Sequence, residues 1–573
     1  MPVTAFQYNG YFKMTDDKKE KLQKSNTGEC LIRILPDGNT FRADKSESLL
    51  EALTGKGILL RSECGGKGLC GKCLVRISDF SQKKISSADE EVSIMGEDDR
   101  KAACRQACRV TLLNDLSVEI PAISLLSPEV VTKSPLFLPQ PIPFCAQPAA
   151  GKAGSYGLAV DIGTTTIAVY LCDLVSGKVA GSIALRNPQA IFGDDVISRI
   201  GFAAEKSGNL TRLQKMAVQG IEWGITALCR STHIDPAHIR SAVVVGNSTM
   251  IHLFTGVNPF SIGVFPYAPL FVEDKTFPAG SVGLQFNPSA DIFTLPLISG
   301  FLGSDIVAAA LATEMDRTAA GTMLVDIGTN GEVMLQSKNG LLATSCATGP
   351  AFEGATIRHG MQAVSGAIDA VKIDRRNGSV TCSVINNSAA FSLPAGICGS
   401  GVVSAIAELY RTGIVSGNGR LNDNSGSPLI RPDQTGMLEF TLVSADKSQT
   451  GQAITLTQKD IRAVQLAKGA LFAGMKMLCA KAGLTAPIRL LVAGAFGNFI
   501  DKKAALTIGM FPALPEECIT MTGNGAGAGA VLVLFNPELR EKARELARTA
   551  IVLDLAAQKE FQEVFLSSLS FPA

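Results

Sequence analysis

Leu158-Ala-Val-Asp161-Ile-Gly163-Thr164-Thr165-Thr166-Ile-Ala-Val-Tyr170 carries the strongest fold signal in this chain, because the same pattern recurs as Met323-Leu-Val-Asp326-Ile-Gly328-Thr329-Asn330-Gly331-Glu-Val-Met-Leu335. In both copies an apolar strand ends in Asp, a Gly-Thr turn reverses the chain, and a second apolar strand follows. An internal repeat of this kind predicts two related lobes built from strands and helices. A third apolar strand ends in a glycine turn, at Gly494 and Gly497.

The two hairpin turns have the chemistry of a phosphate site. Glycine lets the backbone approach a ligand closely, and turn N–H groups with threonine hydroxyls can cradle phosphate oxygens. Asp161 and Asp326 would repel phosphate unless Mg²⁺ or its water shell lies between, so we expect them to position Mg²⁺ and water. The residues expected to hold ATP are Gly163, Thr164, Thr165, Thr166, Gly328, Thr329, Asn330, Gly331, Gly494 and Gly497.

This set of motifs resembles the phosphate-1, phosphate-2 and adenosine motifs of the ASKHA superfamily, which includes acetate and sugar kinases, Hsp70 and actin. The resemblance covers about residues 156–535 and implies an α/β fold with two RNase H-like lobes of the actin/Hsp70 type. Glu353 follows another glycine-rich turn. It is a candidate catalytic residue that would orient the attacking water or bind Mg²⁺, and the alternative is a structural carboxylate.

A second chemical signal lies near the N-terminus, in Cys64-Gly-Gly-Lys-Gly-Leu-Cys70-Gly-Lys-Cys73. Three thiolates on a short glycine loop and one distant thiolate are how a [2Fe–2S] cluster is held. Such a loop needs positive φ angles and N–H groups aimed at the sulfurs. We expect Cys108 to be the fourth ligand, because the sequence that follows it fits a ferredoxin without a gap. Cys104 is the alternative.

Two other kinds of site also use loops with the composition of this cysteine loop. Its glycines and Lys72 nearly form a phosphate-binding P-loop, but Cys73 stands where that loop needs a Ser or Thr, and a strand follows instead of a helix. A zinc site would pair C-x2-C with a second close Cys or His pair, which does not occur here. The cluster therefore remains the preferred interpretation, with zinc as the stronger alternative.

The order of elements around the cysteine loop is hairpin, short helix, cluster loop and strand, and it resembles a β-grasp ferredoxin of the adrenodoxin type. Recurrent prolines then indicate a semi-extended linker. The expected organisation combines an α+β domain with an α/β part: a flexible tail at 1–28, a [2Fe–2S] ferredoxin-like domain at 29–122, a Pro-rich linker at 123–155, ASKHA lobes at 156–322 and 323–535, and a C-terminal helical segment at 536–573.

Composition narrows the partners and the compartment. At 573 residues the chain is too long for one core. Its net charge is +1, without a basic stripe, so neither nucleic acid nor a membrane surface is an expected partner. The N-terminus lacks the apolar core of a signal peptide, and the 14 cysteines are scattered through apolar segments. We therefore expect a reducing, cytoplasmic location.

Together with the cluster domain, several further segments resemble the RamA/RACo-type reductive activators of corrinoid proteins, and this resemblance covers nearly the whole chain. The segments are 187–199, 245–250, 347–354, 396–401 and 457–462. The resemblance implies that ATP hydrolysis drives one electron from the cluster onto the Co(II) corrinoid of a methyltransferase system. The electron donor would be a ferredoxin or a flavoprotein, and a homodimer remains possible. The 396–401 loop either lines the nucleotide cleft or faces a partner.

Two alternative functions remain open at this point. The first is an ATP-driven activator of another low-potential reductase or dehydratase. The second is a redox-gated sensor that binds ATP without turnover, which steady ATP consumption by the reduced protein would exclude.

Overall fold

The computed structural model describes residues 28–62, 65, 66, 68, 71–78, 104–126, 155–354, 356–385, 393–423, 426–433, 435–494 and 500–572. All of the predicted tail except Gly28, and nearly all of the predicted linker, lie outside these residues. The chain divides into two compact units, the first reaching from the N-terminus to Leu125 apart from Glu63–Gly65, and the second containing the rest.

The first unit is a five-stranded sheet with one α-helix among its described residues, in the strand order β2-β1-β5-β3-β4. Strand β1 pairs antiparallel with β2 and parallel with β5, as in a β-grasp. The helix begins at a capping box, in which Ser48 Oγ accepts from Glu51 N at 3.2 Å and Ser48 N donates to the Glu51 carboxylate at 2.7 Å. The elements are β1 (Glu29–Leu35), β2 (Thr40–Asp44), α1 (Leu49–Thr54), β3 (Leu74–Ile77), β4 (Cys104–Gln106) and β5 (Leu116–Glu119).

The second unit begins with a six-stranded sheet in the order β10-β11-β9-β6-β7-β8. Strands β6 and β7 form the first predicted hairpin, and β9 pairs parallel with β6. The elements of this first lobe are β6 (Tyr156–Ile162), β7 (Thr166–Asp173), β8 (Lys178–Arg186), α2 (Val196–Glu205), α3 (Asn209–Thr232), β9 (Ile239–Gly246), α4 (Ser248–Phe254), α5 (Phe260–Gly263), β10 (Lys275–Pro278), β11 (Asp291–Thr294) and α6 (Ser304–Ala312).

The second lobe repeats the order and directions of five of these strands, while its sixth strand lies at the opposite edge of the sheet. Its six-stranded sheet has the order β22-β21-β12-β13-β14-β23, and two three-stranded sheets accompany it, β16-β15-β17 and β18-β19-β20. Strands β12 and β13 form the second hairpin, with β21 parallel to β12. The elements are β12 (Thr322–Ile327), β13 (Gly331–Ser337), β14 (Gly340–Cys346), β15 (Ala367–Ile373), β16 (Val380–Val384), β17 (Gly396–Ile397), α7 (Gly399–Arg411), β18 (Ile430–Pro432), β19 (Leu438–Val443), β20 (Ile454–Thr457), α8 (Gln458–Lys481), β21 (Arg489–Ala493), α9 (Lys502–Thr507), β22 (Ile519–Gly523), α10 (Gly525–Phe535), α11 (Leu539–Thr549), β23 (Ile551–Val552) and α12 (Phe561–Ser567).

The internal repeat is therefore confirmed as two sheets that share the connectivity of five strands, and the fold class is confirmed as a β-grasp ferredoxin domain with a two-lobed ASKHA part. The 536–573 segment is less uniform than expected. Besides α11 and α12 it contains β23, which pairs with β14 through Leu342 and Ile551 and extends the sheet of the second lobe.

Helices α6 and α10 pack against each other between the two large sheets. Helix α10 is apolar on all sides and every one of its residues is buried, as expected of a helix in the centre of a large core. The helix backbones come very close, because a Cβ placed on Gly529 would lie 2.0 Å from the carbonyl oxygen of Ala308. A single apolar cluster joins these helices to residues of both sheets, such as Val243 and Leu324.

The long helix α8 forms much of the core of the second lobe. Among the described helices it alone is long and apolar enough to cross a membrane, but 72% of its most apolar window is buried inside the protein. The sequence Thr457-Gln-Lys-Asp460 predicts a helix that begins with Thr457 as its N-cap. The structure confirms this prediction, since Thr457 Oγ1 accepts from Asp460 N at 3.2 Å and Thr457 N donates to the Asp460 carboxylate at 2.8 Å. Burial against the lobe accounts for the apolar character of this helix.

Gly529→Ala should lower the free energy of unfolding by about 1–3 kcal/mol, because the added methyl group collides with the backbone of α6. Gly201→Ala is the matched control, since a Cβ there meets nothing within 4 Å in the middle of α2. It should leave stability unchanged or raise it by up to about 1 kcal/mol. Chemical denaturation followed by circular dichroism measures both, and equal midpoints for the two variants would contradict the close packing.

Candidate nucleotide cleft and cluster site

The two hairpin turns border one cleft that opens to solvent, and the empty space in and at the mouth of this cleft, open solvent included, is about 1280 Å³. The expected catalytic residues Asp161, Asp326 and Glu353 all line it. Of the expected nucleotide residues, those that line the cleft are Gly163, Thr164, Thr165, Thr166, Gly328, Thr329, Asn330 and Gly494. Gly331 packs away from the cleft, where a Cβ would lie 2.7 Å from the Leu471 side chain. Gly497 lies outside the described residues.

The first turn is closed by its own backbone. Gly163 N donates to the carbonyl oxygen of Thr166 at 2.9 Å. A Cβ on Gly163 would lie 2.7 Å from the same oxygen, so this turn requires glycine. The tight closure brings the three threonines of the turn to the cleft.

Polar side chains of the first lobe hold the first turn in place. Asn187 Nδ2 donates to the Gly163 carbonyl at 2.9 Å, and Asn247 Nδ2 donates to Thr164 Oγ1 at 2.9 Å. Arg199 Nη2 donates to the Thr164 carbonyl at 2.5 Å. Burial is complete for Arg199 and lowers its pKa to about 9. The segments 187–199 and 245–250 thus act as a rigid support for this turn.

The second turn is supported by its own lobe. Gly328 N donates to the Asn330 carbonyl at 3.1 Å, and Thr348 Oγ1 donates to the Thr329 carbonyl at 3.1 Å. Gly494 has a φ of 101°, and a Cβ there would lie 2.5 Å from the Ile327 carbonyl. Gly494, which directly follows β21, therefore packs directly against the second hairpin.

Glu353 connects the two turns. Thr165 Oγ1 of the first turn donates to Glu353 Oε2 at 2.5 Å, and Thr329 Oγ1 of the second turn donates to the same oxygen at 3.0 Å. The two hydroxyl oxygens are 3.3 Å apart. The two hairpins therefore converge on one point in space.

Carboxyl groups crowd the floor of the cleft. Burial raises the pKa of Asp161 to about 7 and that of Asp326 to about 8, and the neighbouring charge of Asp305 adds to both shifts. Burial likewise raises the pKa of Asp305 to about 6 and raises that of Glu332 well above its usual value. A cation in the cleft would relieve this repulsion and restore the charged forms.

The carboxyl groups of the cleft fit a hydrated Mg²⁺ that is bound to a nucleotide. Among the described residues, no group of three or more His, Cys, Asp or Glu side chains has the arrangement of a direct metal site. Mg²⁺ usually keeps several waters and binds one or two carboxylates together with phosphates. Asp161 and Asp326 are the carboxylates that would serve in this way.

Sequence reasoning missed several residues of the cleft, among them Asp305 and Asn524. Asp305 lies in the first turn of α6 and lines the cleft. Asn524 is the N-cap of α10 and also donates from Nδ2 to Asp161 Oδ2 at 2.9 Å and to the Tyr170 hydroxyl at 3.0 Å. An Asn before a glycine-rich helix signals an N-cap, but no local signal connects it with Asp161.

The 396–401 loop lies along the cleft. Cys398, Gly399 and Ser400 line it, and α7 begins at Gly399. The Cys398 thiol is buried and donates to the Ile368 carbonyl at 3.3 Å, as expected of a structural thiol. Of the two roles left open for this loop, the structure favours a part in the cleft.

In the first unit, the structure brings together two of the predicted cluster cysteines. Cys73 Sγ and Cys108 Sγ are 3.5 Å apart, close enough for both to bind one metal centre. Ala107 N donates to the Cys73 carbonyl at 2.7 Å, which fixes the two segments side by side. Cys104 is buried on β4 in contact with Leu74. The geometry thus favours Cys108 over Cys104, while Cys64 and Cys70 lie outside the described residues.

The glycines of the cysteine loop have the predicted conformation. Gly65, Gly66, Gly68 and Gly71 have φ angles of 66°, 80°, 73° and 64°. A Cβ on Gly68 would lie 2.1 Å from the Arg109 guanidinium, which donates to the Gly68 carbonyl at 3.4 Å. Gly68 therefore packs tightly against Arg109, the residue that follows Cys108.

Comparisons with known proteins cover both units. Residues 320–573 match the family described as the C-terminal domain of RACo, the ASKHA domain; residues 156–318 match the RACo middle region, and residues 32–112 match the 2Fe-2S iron-sulfur cluster binding domain.

Individual relatives match between 73% and 95% of this chain. The chain is 31% identical over 569 residues to the corrinoid activation enzyme RamQ of Eubacterium limosum, covering 90% of this chain and 94% of that protein. It is 25% identical over 447 residues to the Co(II) methylated amine-specific corrinoid protein reductase of Methanosarcina barkeri, covering 73% and 77%. A solved reductive activator for corrinoid, iron-sulfur protein is 31% identical with a TM-score of 0.68, covering 95% and 98%.

Cys108→Ser should abolish the visible absorbance and electron paramagnetic resonance signal of a [2Fe–2S] cluster, because an alcohol is a poor substitute for a thiolate ligand. Cys104→Ser, four residues away, is the matched control and should keep both signals. Loss of the cluster in Cys104→Ser together with its retention in Cys108→Ser would reverse the assignment.

Asp326→Asn should flatten the pH dependence of stability measured without Mg²⁺ and nucleotide. In the folded protein Asp326 keeps its proton up to about pH 8, whereas in the unfolded chain it loses the proton near its ordinary pKa of about 4. The folded state therefore loses stability as pH rises towards 8, by up to about 1.4 kcal/mol per pH unit.

Denaturation midpoints at pH 6 and pH 8.5 measure this loss, and the variant should lose less than the wild type. Asp446→Asn is the control, because the pKa of exposed Asp446 is lowered by its hydrogen bond with Ser444 and the group is charged throughout this range. Identical slopes for Asp326→Asn and the wild type would contradict a protonated Asp326.

Proposed function

The chain belongs to the RACo family of reductive activators of corrinoid proteins, and we propose that it couples ATP hydrolysis to the transfer of one electron from a [2Fe–2S] cluster to the Co(II) corrinoid of a partner protein. The corrinoid product is the Co(I) state, the nucleophile needed for methyl transfer. A ferredoxin or a flavoprotein is the proposed source of the replacement electron, and the cytoplasm is the proposed location.

The energetics explain why such a reaction needs ATP. A plant-type [2Fe–2S] cluster has a reduction potential near about −400 mV, and the family resemblance implies a lower potential for the Co(II)/Co(I) couple. Each interval of about 59 mV changes a one-electron equilibrium tenfold. Electron transfer is therefore uphill without a second driving force, and opening and closing of two lobes around a nucleotide is a suitable bistable element.

The arrangement of the hairpins supports the ATP part of the proposal. The hydroxyls of Thr165 and Thr329 meet at one oxygen of Glu353, so both turns face one ligand position. In the proposed complex these turns grip the phosphates from two sides. Asp161 and Asp326 position the hydrated Mg²⁺, and Glu353 orients the attacking water.

The cysteines support the redox part. The close pair of Cys73 and Cys108, together with Cys64 and Cys70 of the loop, is the proposed ligand set. When bound, the cluster supplies single-electron chemistry. The N–H groups of a loop wound through positive φ angles can point at the sulfurs and tune the potential.

The decisive experiment mixes the reduced protein with a purified Co(II) corrinoid protein under anaerobic conditions and follows the Co(I) absorbance with and without MgATP. Co(I) should accumulate only with ATP, and the corrinoid protein should raise the ATPase rate. Asp161→Asn should lower both rates by about 10²-fold or more, as expected for loss of a group that positions charge at the reacting phosphate.

Asp446→Asn serves as the matched control and should behave as the wild type. Equal Co(I) yield without ATP would refute the coupling. ATP binding without steady turnover would instead favour a redox-gated sensor.

A further inference from the structure

The Glu353 carboxylate lies at the point where the two hairpins would grip a nucleotide. Its Oε2 accepts from Thr165 Oγ1 at 2.5 Å and from Thr329 Oγ1 at 3.0 Å. Both hydroxyls belong to turns that are proposed to bind phosphate. A single carboxylate oxygen thus uses the two donors that a phosphate oxygen would need.

The two occupants exclude each other on chemical grounds. A threonine hydroxyl has one proton and can donate to only one acceptor at a time. A phosphate oxygen placed at the same donors would also lie within a few ångströms of the Glu353 carboxylate, and two anions at that distance repel strongly in a partly dehydrated cleft. Glu353 must therefore move before both turns can hold a phosphate.

The position of Glu353 is determined by its backbone. The residue ends a short 3-10 helix, Pro350–Glu353, which lies between Gly349 with φ of 66° and Gly354 with φ of 78°. A Cβ on Gly354 would lie 3.1 Å from the backbone of Met361. This turn is built to direct the side chain across the cleft, so a rotation of the side chain is the simplest way to release the two hydroxyls.

We propose that Glu353 is a latch that the terminal phosphate of a nucleoside triphosphate displaces. In the nucleotide-free protein the latch joins the two hairpins through Thr165 and Thr329. The terminal phosphate takes over both hydroxyls, and the freed carboxylate becomes available to orient water. A diphosphate lacks the displacing group and leaves the latch closed. This inference rests on the proposed nucleotide function of the cleft and adds its regulation.

The test compares the dissociation constants of ADP and of a non-hydrolysable ATP analogue, each with Mg²⁺, for the full-length cluster-loaded protein. Removing a latch removes a competitor, so Glu353→Ala should bind the triphosphate about tenfold more tightly and ADP unchanged. Glu353→Gln keeps one acceptor oxygen and should lie between Glu353→Ala and the wild type. Structural damage would weaken binding, so a gain in affinity specific to the triphosphate separates the two causes.

A second substitution supplies an internal control. Thr165→Val removes a hydroxyl that serves the latch in the free protein and the phosphate in the complex. In the wild-type background Thr165→Val removes both the contact with Glu353 in the free protein and the contact with phosphate in the complex, so the effects on affinity partly cancel. In the Glu353→Ala background only the contact with phosphate is lost. Thr165→Val should therefore weaken triphosphate binding more in the Glu353→Ala protein than in the wild type.

Each remaining outcome has a distinct meaning. If Glu353→Ala binds the triphosphate no more tightly than the wild type does, the latch is refuted and the nucleotide site stands. If Glu353→Ala tightens ADP and the triphosphate equally, Glu353 does not distinguish the terminal phosphate and the latch is likewise refuted. If neither protein binds a triphosphate, the proposed function fails, and the latch fails with it.

Discussion

Backbone-to-backbone packing of α6 and α10 is the constraint on which the second unit depends. Each large sheet buries one face against this pair of helices, so the helices form a shared central layer. Small residues make the shared layer thin, since Gly529 lies against the Ala308 carbonyl and Gly525 lies beside Ala309. The spacing of the two hairpins at the end of the sheets follows from the thickness of this layer.

The same two helices determine the electrostatics of the cleft. Asp305 enters it from the first turn of α6, and Asn524 enters it from the N-cap of α10. Positive partial charge at helix N-termini partly offsets the burial of nearby carboxylates. This partial charge does not offset the cost of burial fully, because Asp161 and Asp326 still have raised pKa values. The carboxyl groups of the cleft thus repel one another, and an anion that brings a divalent cation would relieve this repulsion.

The sequence alone predicted the parts of the site that are local. The two Asp-x-Gly-Thr turns, the positive φ angles of the cysteine loop and the cap at Thr457 each depend on neighbours within a few residues, and all were found. The meeting of Asn524 with Asp161 joins positions 363 residues apart, and no local pattern records such a contact.

Contacts between the lobes were equally hidden from the sequence. Glu353 was one candidate among several carboxylates until the structure placed it between Thr165 and Thr329. The supporting roles of Asn187 and Arg199 are likewise not visible in the sequence, although the segment 187–199 that contains them carries part of the family resemblance. The strand β23 was missed because two residues are too few to show a period.

The buried guanidinium of Arg199 has a mechanical consequence. It ties the Thr164 carbonyl to the interior of the first lobe, and Thr348 ties the Thr329 carbonyl to the second. Neither turn is then free to deform separately from its lobe. The distance between the hydroxyls of Thr165 and Thr329 becomes a single coordinate for the opening and closing of the whole cleft, which a pair of spectroscopic labels could follow in real time.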